Sequence, residues 1–499
     1  MAGSPVSARE PDYADVQGLV RFGHGQLEGA SLAVLRVKSR DAAKAWLGAA
    51  PVTTAMALSP LPRTALQVAF TAAGLEAFGV APSVLAGFSR EFVGGMTEPN
   101  RSRRLGDVDV NAPSAWAWGR PDQLPHVLAM FFAKRSLLDG FIRDTTREAW
   151  NDAFETPTWL RTSDLDGVEP FGFADGISQP EIDWTQERDP AHSRIDYGNV
   201  AALGEFVLGY RNEYGKYTDR PLLDPTPASA GLPAAEDASA KKDLGRNGTF
   251  LVIRQLRQDV RAFWQFVYAQ AGGDAPAADR LAAAFVGRTK DGDPLVPASS
   301  HPIVGIKAGK GKQNQFTYDG DPHGVRCPIG SHIRRANPRN TDYPGRPTGL
   351  RRILADLSLL PRVFADDLVS SVRFHRILRR GREYGPGLSP QDALGSAPPN
   401  EEERGLHFVC LNGNIGRQFE FLQNAWMTSS KFAGLAGEND PLIGTRAAMR
   451  GCPAADAFTW PTEDGVARRV TGLQQFVTVR GGGYFFLPGL AALRYLATS

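Results

Sequence analysis

One acidic residue of this sequence stands between glycines in a segment that could carry acid–base chemistry. The stretch 172–176, GFADG, places Asp175 on tightly turned backbone, because glycine and Asp-Gly pairs favour turns. The stretch is either an ordinary Asp-Gly turn or an acid held where the backbone comes close to a bulky ligand. These five residues alone leave both interpretations open.

A histidine with cationic neighbours is a candidate metal ligand. No two of the eight histidines have the His-x-x-x-His spacing of a helical zinc site. His332 lies in the stretch 327–339, CPIGSHIRRANPR, where Pro and Gly precede a short central piece and Asn-Pro ends it. Such a piece can present one imidazole to a metal and guanidinium groups to an anion.

A third stretch, 374–385, reads FHRILRRGREYG and alternates apolar with cationic residues before it stops at glycine. A strand that ends in arginine could direct a guanidinium group into a pocket. The same pattern is equally typical of a solvated basic edge.

An internal repeat indicates which elements position these residues. The apolar stretch 31–36 is followed by 41–47, and the same order returns 218 positions later in 249–254 and 259–264. Each copy predicts a buried strand, a short turn, an N-capping Asp (Asp41 and Asp259) and an amphipathic helix. A strand with a helix on one face is half of a ferredoxin-like unit. Two copies predict a duplicated α+β architecture.

The rest of the chain supplies further strand and helix patterns. We predict an N-terminal half over 1–220, a loop or linker over 221–245 that is rich in Pro, Ala, Asp and Ser, and a C-terminal half over 246–499. In the C-terminal half, 405–411 predicts a strand and 417–426 a helix. The stretches 476–480 and 484–487 predict two strands around a glycine turn or bulge at 481–483, followed by a closing helix near 490–496.

Composition excludes several classes of protein. The 499 residues are 42% hydrophobic and 22% charged, and the net charge of +2 gives no electrostatic footprint for nucleic acid. Three cysteines without a Cys-x-x-Cys pair (Cys327, Cys410 and Cys452) do not favour a disulfide framework or a structural zinc site. No apolar run is long enough to span a membrane, and no export signal is visible, which favours a cytoplasmic protein. The oligomeric state is left open.

Taken together, the stretches 172–176, 327–339 and 374–385, which we call the three chemical stretches, resemble motifs of the dye-decolourising peroxidase family. They occur in that family in the same order. Further similarity covers 15–18, 68–75, 94–96, 405–426 and 477–487, and so nearly the whole chain. The length and the missing export signal look most like the longer intracellular bacterial members. The resemblance implies an α+β fold of duplicated ferredoxin-like units, with antiparallel sheets and peripheral helices, that holds one haem b per chain.

The resemblance also implies roles for individual residues. His332 matches the proximal ligand of the haem iron, Asp175 the distal acid–base residue and Arg379 the distal arginine, with Arg380 as the alternative if the register is off by one. A carboxylate is expected on the other nitrogen of the proximal histidine, with Asp440 first and Glu438 and Glu420 as alternatives. The remaining expected haem contacts are Ile177, Arg339, Leu406 and Phe408.

The implied activity is oxidation of organic donors, such as dyes and phenolics, by hydrogen peroxide. An aspartate stays ionised to low pH, so we expect an acidic pH optimum. Two alternatives remain at this stage: a haem carrier or iron-releasing protein on the same fold, and a binding module that has lost haem. The interval between His332 and Arg379 looks longer than in compact members, with extra sequence around Pro344 to Asp366.

Overall fold

The computed structural model describes residues 10–187, 198–299, 303, 305–306, 311–339, 372–448, 455–460 and 466–499. Cys452 and the extra sequence predicted around Pro344 to Asp366 lie outside these residues. Among the helices of the described ranges, none is long and apolar enough to cross a membrane.

Fifteen strands are present among the described residues. The strands are β1 (Gly29–Leu35), β2 (Thr64–Phe70), β3 (Val127–Ala133), β4 (Thr158–Arg161), β5 (Glu181–Asp183), β6 (Val200–Ala202), β7 (Leu222–Leu223), β8 (Lys242–Asp243), β9 (Thr249–Gln258), β10 (Leu378–Arg379), β11 (Arg382–Tyr384), β12 (Gly405–Asn412), β13 (Phe458–Trp460), β14 (Arg468–Val470) and β15 (Val477–Leu487).

Helices lie between these strands and at the C-terminal end. They are α1 (Gly18–Phe22), α2 (Arg40–Ala49), α3 (Ala72–Ala77), α4 (Pro82–Leu85), α5 (Arg90–Gly94), α6 (Pro99–Leu105), α7 (Leu138–Thr145), α8 (Glu148–Ala153), α9 (Val260–Gln270), α10 (Ala275–Val286), α11 (His332–Ala336), α12 (Pro390–Ala393) and α13 (Leu490–Thr498). Two π-helical turns, Gly416–Glu420 and Leu422–Met427, form where the sequence predicts one helix.

One antiparallel sheet contains the long strands of both halves. Its order is β10-β12-β9-β15-β2-β3-β1-β4, and β11 also pairs with β12. The N-terminal half has the order β2-β3-β1-β4 and the C-terminal half the order β10-β12-β9-β15. If the four strands of each half are numbered along the chain, both halves have the spatial order 2-3-1-4, which is that of a ferredoxin-like unit. The predicted duplicated α+β fold is therefore confirmed, and the two units join edge to edge through β15 and β2.

The two copies of the repeat occupy equivalent places, with corrections at their turns. In the first copy Ser39, not Asp41, caps the helix by accepting a hydrogen bond from the Ala42 N–H. In the second copy Asp259 caps α9 as predicted. No separate turn precedes Asp259, because β9 continues to Gln258. The strand-to-helix order is thus common to both copies, whereas the cap differs.

The glycines near the C-terminus form a bulge and not a turn. β15 is one continuous strand, and its register against β9 shifts between Val479 and Gly481. Gly481 is needed there because a Cβ atom would lie 2.4 Å from Nε1 of Trp118. A bulge of this kind bends its strand, here β15, which pairs with β9 in its own half and with β2 of the N-terminal half.

The segment 221–245 is more ordered than a linker. It carries the paired strands β7 and β8. Within it the carboxylate of Asp243 is fully buried and lies 2.6 Å from Nε of Arg220. The boundaries of the three regions stay a prediction.

Apolar side chains cover both faces of the sheet. On one face Trp46 of α2, Trp150 of α8 and Leu493 of α13 pack in a single cluster with strand residues. In the C-terminal half Phe263 of α9 and Leu281 of α10 pack with each other and with the start of β15. Residues of the C-terminal half of the sheet, of α11 and of the π-helical turns together line a cavity.

Candidate active site

A cavity of about 310 Å³ gathers residues from all three chemical stretches. Alternate residues of β9, β12 and β15 point into it, as the pleat of a strand requires. Asp440 lies directly behind His332. The predicted residues that line the cavity are Asp175, Ile177, His332, Arg339, Arg379, Leu406 and Phe408.

The Asp175 loop is a tight turn of the kind that its glycines predict. Gly172 and Gly176 have φ angles of 96° and 73°, which lie in the left-handed region that glycine adopts without strain. The Asp175 N–H donates to the carbonyl of Gly167 at 3.0 Å, and Val168 forms an antiparallel bridge to Ala174. Backbone contacts on both sides therefore fix the direction of the Asp175 side chain.

The second repeat copy holds this loop against the sheet. Nε1 of Trp264 donates to the carbonyl of Phe171 at 3.0 Å. The ring of Phe173 is parallel to that of Trp264, and the ring of Phe171 lies 4.5 Å from that of Phe263. Helix α9 thus positions the loop from outside the cavity.

Asp175 and Arg379 form an ion pair that faces the cavity. Nη1 of Arg379 lies 2.8 Å from Oδ1 of Asp175, and about one third of each side chain is exposed. Burial raises the pKa of the Asp175 carboxyl group, but the Arg379 guanidinium and the Gly176 N–H outweigh that effect and hold the pKa below its ordinary value. Asp175 is consequently a carboxylate over most of the pH range.

Strand alternation separates the two neighbouring arginines. The Arg379 side chain points to Asp175, and its own N–H donates to Oε1 of Gln179 at 2.9 Å. The Arg380 guanidinium points to the opposite face and donates to the carbonyls of Leu19 and Val20, both at 2.8 Å. Arg379 is therefore the arginine that the structure brings to Asp175.

His332 begins α11 and lines the same cavity. Its Nδ1 lies 2.9 Å from Oδ2 of the fully buried Asp440, and Oδ1 of Asp440 accepts the N–H groups of Leu442 and Ile443 at 2.9 Å each. Burial lowers the pKa of the His332 imidazole, but the Asp440 carboxylate outweighs burial and raises it. Because Nδ1 is engaged, Nε2 is the ring nitrogen that can bind a ligand in the cavity.

The two alternative carboxylates serve other partners. Glu438 accepts hydrogen bonds from the backbone N–H and the hydroxyl of Thr459. Glu420 accepts from Nη1 of Arg101 at 2.6 Å and from the hydroxyl of Tyr484 at 2.9 Å. Asp440 is the one of the three predicted carboxylates that contacts His332.

Several positive charges line the cavity, and most of them were not predicted. Arg288 and Arg376 line it together with Arg339. Arg339 donates to the carbonyls of Asn314 and Phe316. Burial and then the Arg339 charge lower the pKa of Arg288 to about 10. An anionic group would relieve this repulsion. Arg288 belongs to no motif, and Arg376 stands unassigned in the third stretch, so only proximity in space reveals the cluster.

Sequence comparison finds relatives over most of the chain. No family model matches the sequence. The dye-decolorizing peroxidase msp1 of Mycetinis scorodonius is 29% identical over 469 residues, which are 88% of this chain and 77% of that protein. The multifunctional dye peroxidase DyP2 of Amycolatopsis sp. is 31% identical over 359 residues, which are 68% of this chain and 64% of that protein.

Structural comparison agrees with these relatives. A dye-decolorizing peroxidase solved in complex with 2,6-dimethoxyphenol has a TM-score of 0.71 at 22% identity, over 98% of this chain and 100% of the other, which establishes the fold. Most of the matched relatives are fungal, so the expected likeness to bacterial members in particular was wrong. The sequence relatives and the shared fold together show that the chain belongs to the family of dye-decolorizing peroxidases, oxidoreductases that use hydrogen peroxide.

Proposed function

We propose that the cavity binds one haem b, with His332 as the iron ligand, and that Asp175 and Arg379 would activate hydrogen peroxide bound in the same cavity. The observation that carries this proposal is the arrangement of the cavity. An imidazole backed by a carboxylate and a carboxylate–guanidinium pair line the same cavity. The compounds oxidised would be organic donors such as dyes and phenolics.

The residues present fit a haem in three respects. The Asp440 carboxylate orients His332 and increases its basicity, as second partners of metal-binding histidines do. The guanidinium groups of Arg288, Arg339 and Arg376 offer positive charge for the two propionates. The side chains of Ile177, Leu406 and Phe408 would give apolar surface for the macrocycle.

Asp175 is suited to move a proton within bound peroxide. The bound haem would supply the electrons that cleave the O–O bond. For that cleavage a proton would have to move from one peroxide oxygen to the other, departing oxygen. An ionised carboxylate within hydrogen-bond reach can accept the proton and return it. The low pKa of Asp175 keeps the carboxylate ready as acceptor in acidic solution.

Arg379 is suited to stabilise the charge that develops on the departing oxygen. Its guanidinium group is held by two contacts, the ion pair to Asp175 and a hydrogen bond to the Ser178 carbonyl. A donor that is fixed before reaction gains most from the low polarity of a buried site. Asp175 and Arg379 therefore divide the task between proton transfer and charge stabilisation.

The Arg379→Ala variant tests this proposal with a matched control in the same strand. We expect haem-loaded wild-type protein to oxidise 2,6-dimethoxyphenol when hydrogen peroxide is added. We expect Arg379→Ala to keep the haem absorption band and to lose about 10²–10³ in the rate constant for peroxide, measured by stopped-flow absorption. Arg380→Ala removes the neighbouring guanidinium on the other face and should react nearly as fast as wild type. Protein that stays colourless after haem addition would contradict the proposal itself.

Asp440→Asn tests the support of the proximal histidine. An amide cannot hold the imidazole as a carboxylate does, so we expect haem affinity to fall by about 10–100-fold in a haem titration. Glu438→Gln is the control, because Glu438 is also buried but contacts Thr459 and not His332. An equal loss of affinity in both variants would show that Asp440 has no special role.

A further inference from the structure

A second carboxylate, that of Glu169, lines the cavity on the same side as Asp175. It stands earlier in the same loop, and no sequence motif singled it out. Proline follows it at position 170, so the chain there is restricted before it enters the turn. The contacts of Glu169 connect the loop to the sheet and to the chemistry of the site.

Glu169 closes the turn that leads to Asp175. Its Oε2 accepts the N–H of Phe171 and its Oε1 accepts the N–H of Phe173, both at 3.0 Å. Two backbone hydrogen bonds span the same residues, from the Glu169 N–H to the Phe173 carbonyl and from the Gly172 N–H to the Glu169 carbonyl. The Glu169 side chain thus stabilises this turn from within, and helix α9 stabilises the same turn from outside.

Gln258, the last residue of β9, connects Glu169 to the sheet. Its Nε2 donates to Oε2 of Glu169 at 2.7 Å, and its buried Oε1 has no partner among the described residues. A side-chain amide that flips by about 180° presents its oxygen, an acceptor, in place of its N–H donor. Gln258 can therefore hydrogen-bond Glu169 when that group is ionised and when it is protonated, so Glu169 can change charge while the contact is kept.

Burial and the neighbouring Asp175 charge bring the pKa of Glu169 to about neutrality. Burial raises the pKa of Glu169 to about 7, an effect that hydrogen bonds from Gln258, Phe171 and Phe173 reduce and the Asp175 charge reinforces. His332 of α11 also interacts electrostatically with Glu169. Among the other charged groups that line the cavity nearby, Arg254 of β9 is paired with Asp107 and Arg379 of β10 with Asp175. Helix α9 contributes the apolar Phe263 and Trp264.

We propose that Glu169 is a positioning residue for the peroxide reaction. It holds the turn that carries Asp175, and its state of charge sets the upper end of the pH range in which the protein reacts with peroxide. This inference rests on the proposed role of Asp175. Above neutrality Glu169 loses its proton and adds a negative charge beside Asp175. That charge opposes the negative charge that develops on the departing oxygen, so the reaction with peroxide slows as pH rises.

Glu169→Gln tests the inference through the shape of a pH profile. Stopped-flow rate constants with hydrogen peroxide are measured from about pH 5 to about pH 9. We expect the wild-type rate constant to fall by about tenfold over the two pH units above neutrality. The Glu169→Gln protein should be slower throughout, because an amide oxygen replaces only one of the two acceptors, yet its profile should be flat in that range. A purely structural role would lower the rate without removing the pH-dependent fall.

Glu383→Gln is the matched control. Burial raises the pKa of Glu383, and Asp175 interacts with it electrostatically, but Glu383 lies on β11 and does not line the cavity. We expect this variant to keep the wild-type fall in rate above neutrality. Loss of the fall in Glu383→Gln together with its persistence in Glu169→Gln would overturn the inference.

Infrared difference spectra of resting protein give a readout that needs no turnover. We expect the C=O stretching band of a protonated carboxylic acid to disappear as pH rises through neutrality in wild type. The same band should be missing from Glu169→Gln. A wild-type spectrum without such a band would contradict the inference even if activity changed. An Asp175→Asn protein that keeps its rate would instead remove the proposed role of Asp175, so the two failures are distinguishable.

Discussion

Asp175→Asn is expected to keep the haem absorption band and to lose about 10²–10⁴ in the rate constant for hydrogen peroxide. The amide has nearly the shape of the carboxylate and can remain beside Arg379, but it cannot accept the proton that must move between the two peroxide oxygens. Haem binding should be preserved, because the predicted haem ligand is His332, which is held by Asp440 and not by Asp175. Single-turnover absorption measurements separate this step from later oxidation of a donor.

The lowered pKa of Asp175 determines how the rate constant for peroxide should depend on pH. Since Arg379 and the Gly176 N–H hold the pKa of Asp175 below its ordinary value, its carboxylate is present above that lowered pKa and is lost only as pH falls through it. We therefore expect the wild-type rate to persist into acidic solution. With the fall expected above neutrality from Glu169, the optimum should be acidic.

Asp164→Asn is the control for this substitution. Asp164 lies close in sequence and pairs with Arg135 at the surface, outside the cavity. Its variant should react with peroxide at nearly the wild-type rate. If Asp175→Asn also reacted at that rate, the acid–base role would belong to another group, and Arg379 would be the first to test.

His332→Ala is expected to abolish stable haem binding. The imidazole is the proposed iron ligand, and its loss also removes the largest of the interactions that lower the pKa of the buried Asp440 carboxyl group. A buried carboxylate that loses its ion-pair partner is costly even though the N–H groups of Leu442 and Ile443 remain, so the apo-protein should also be less stable than wild type. A haem titration followed by gel filtration measures the first effect, and thermal unfolding of the apo-proteins measures the second.

His323→Ala controls for the loss of an imidazole as such. His323 is exposed and does not line the cavity. Its variant should bind haem as wild type does. Retention of haem by His332→Ala in amounts equal to wild type would contradict the proposed iron ligand. Addition of imidazole to His332→Ala should restore part of the absorption band if the cavity is intact, which separates a missing ligand from a collapsed site.

The repeat in the sequence predicted the architecture because strand and helix periods are local properties. An apolar run followed by a capped amphipathic stretch forms the same pair of elements wherever it occurs. Two such pairs, β1 with α2 and β9 with α9, occupy equivalent places in one sheet. The caps were less predictable, since Ser39 and Asp41 are both suitable and only backbone geometry selects Ser39.

The chemical stretches were visible in the sequence because each is continuous. Asp175, His332 and Arg379 each stand in a short segment with distinctive neighbours. Their distances could not be predicted, because they depend on how a loop, a helix and a strand far apart in the chain meet across the cavity. For the same reason the sequence could not decide whether Asp440, Glu438 or Glu420 contacts His332. All three are carboxylates in suitable segments, and only folding brings one within 2.9 Å of the imidazole.

By itself the sequence determined the family, the duplicated fold and the identities of an acid, a histidine and an arginine. Tertiary structure alone decided that Arg379 and not Arg380 faces Asp175, because the two sides of a strand are set by its place in the sheet. It also decided that Glu169 and Arg288 belong to the cavity. Their roles arise from burial and from neighbouring charges, and these exist only when remote segments pack together.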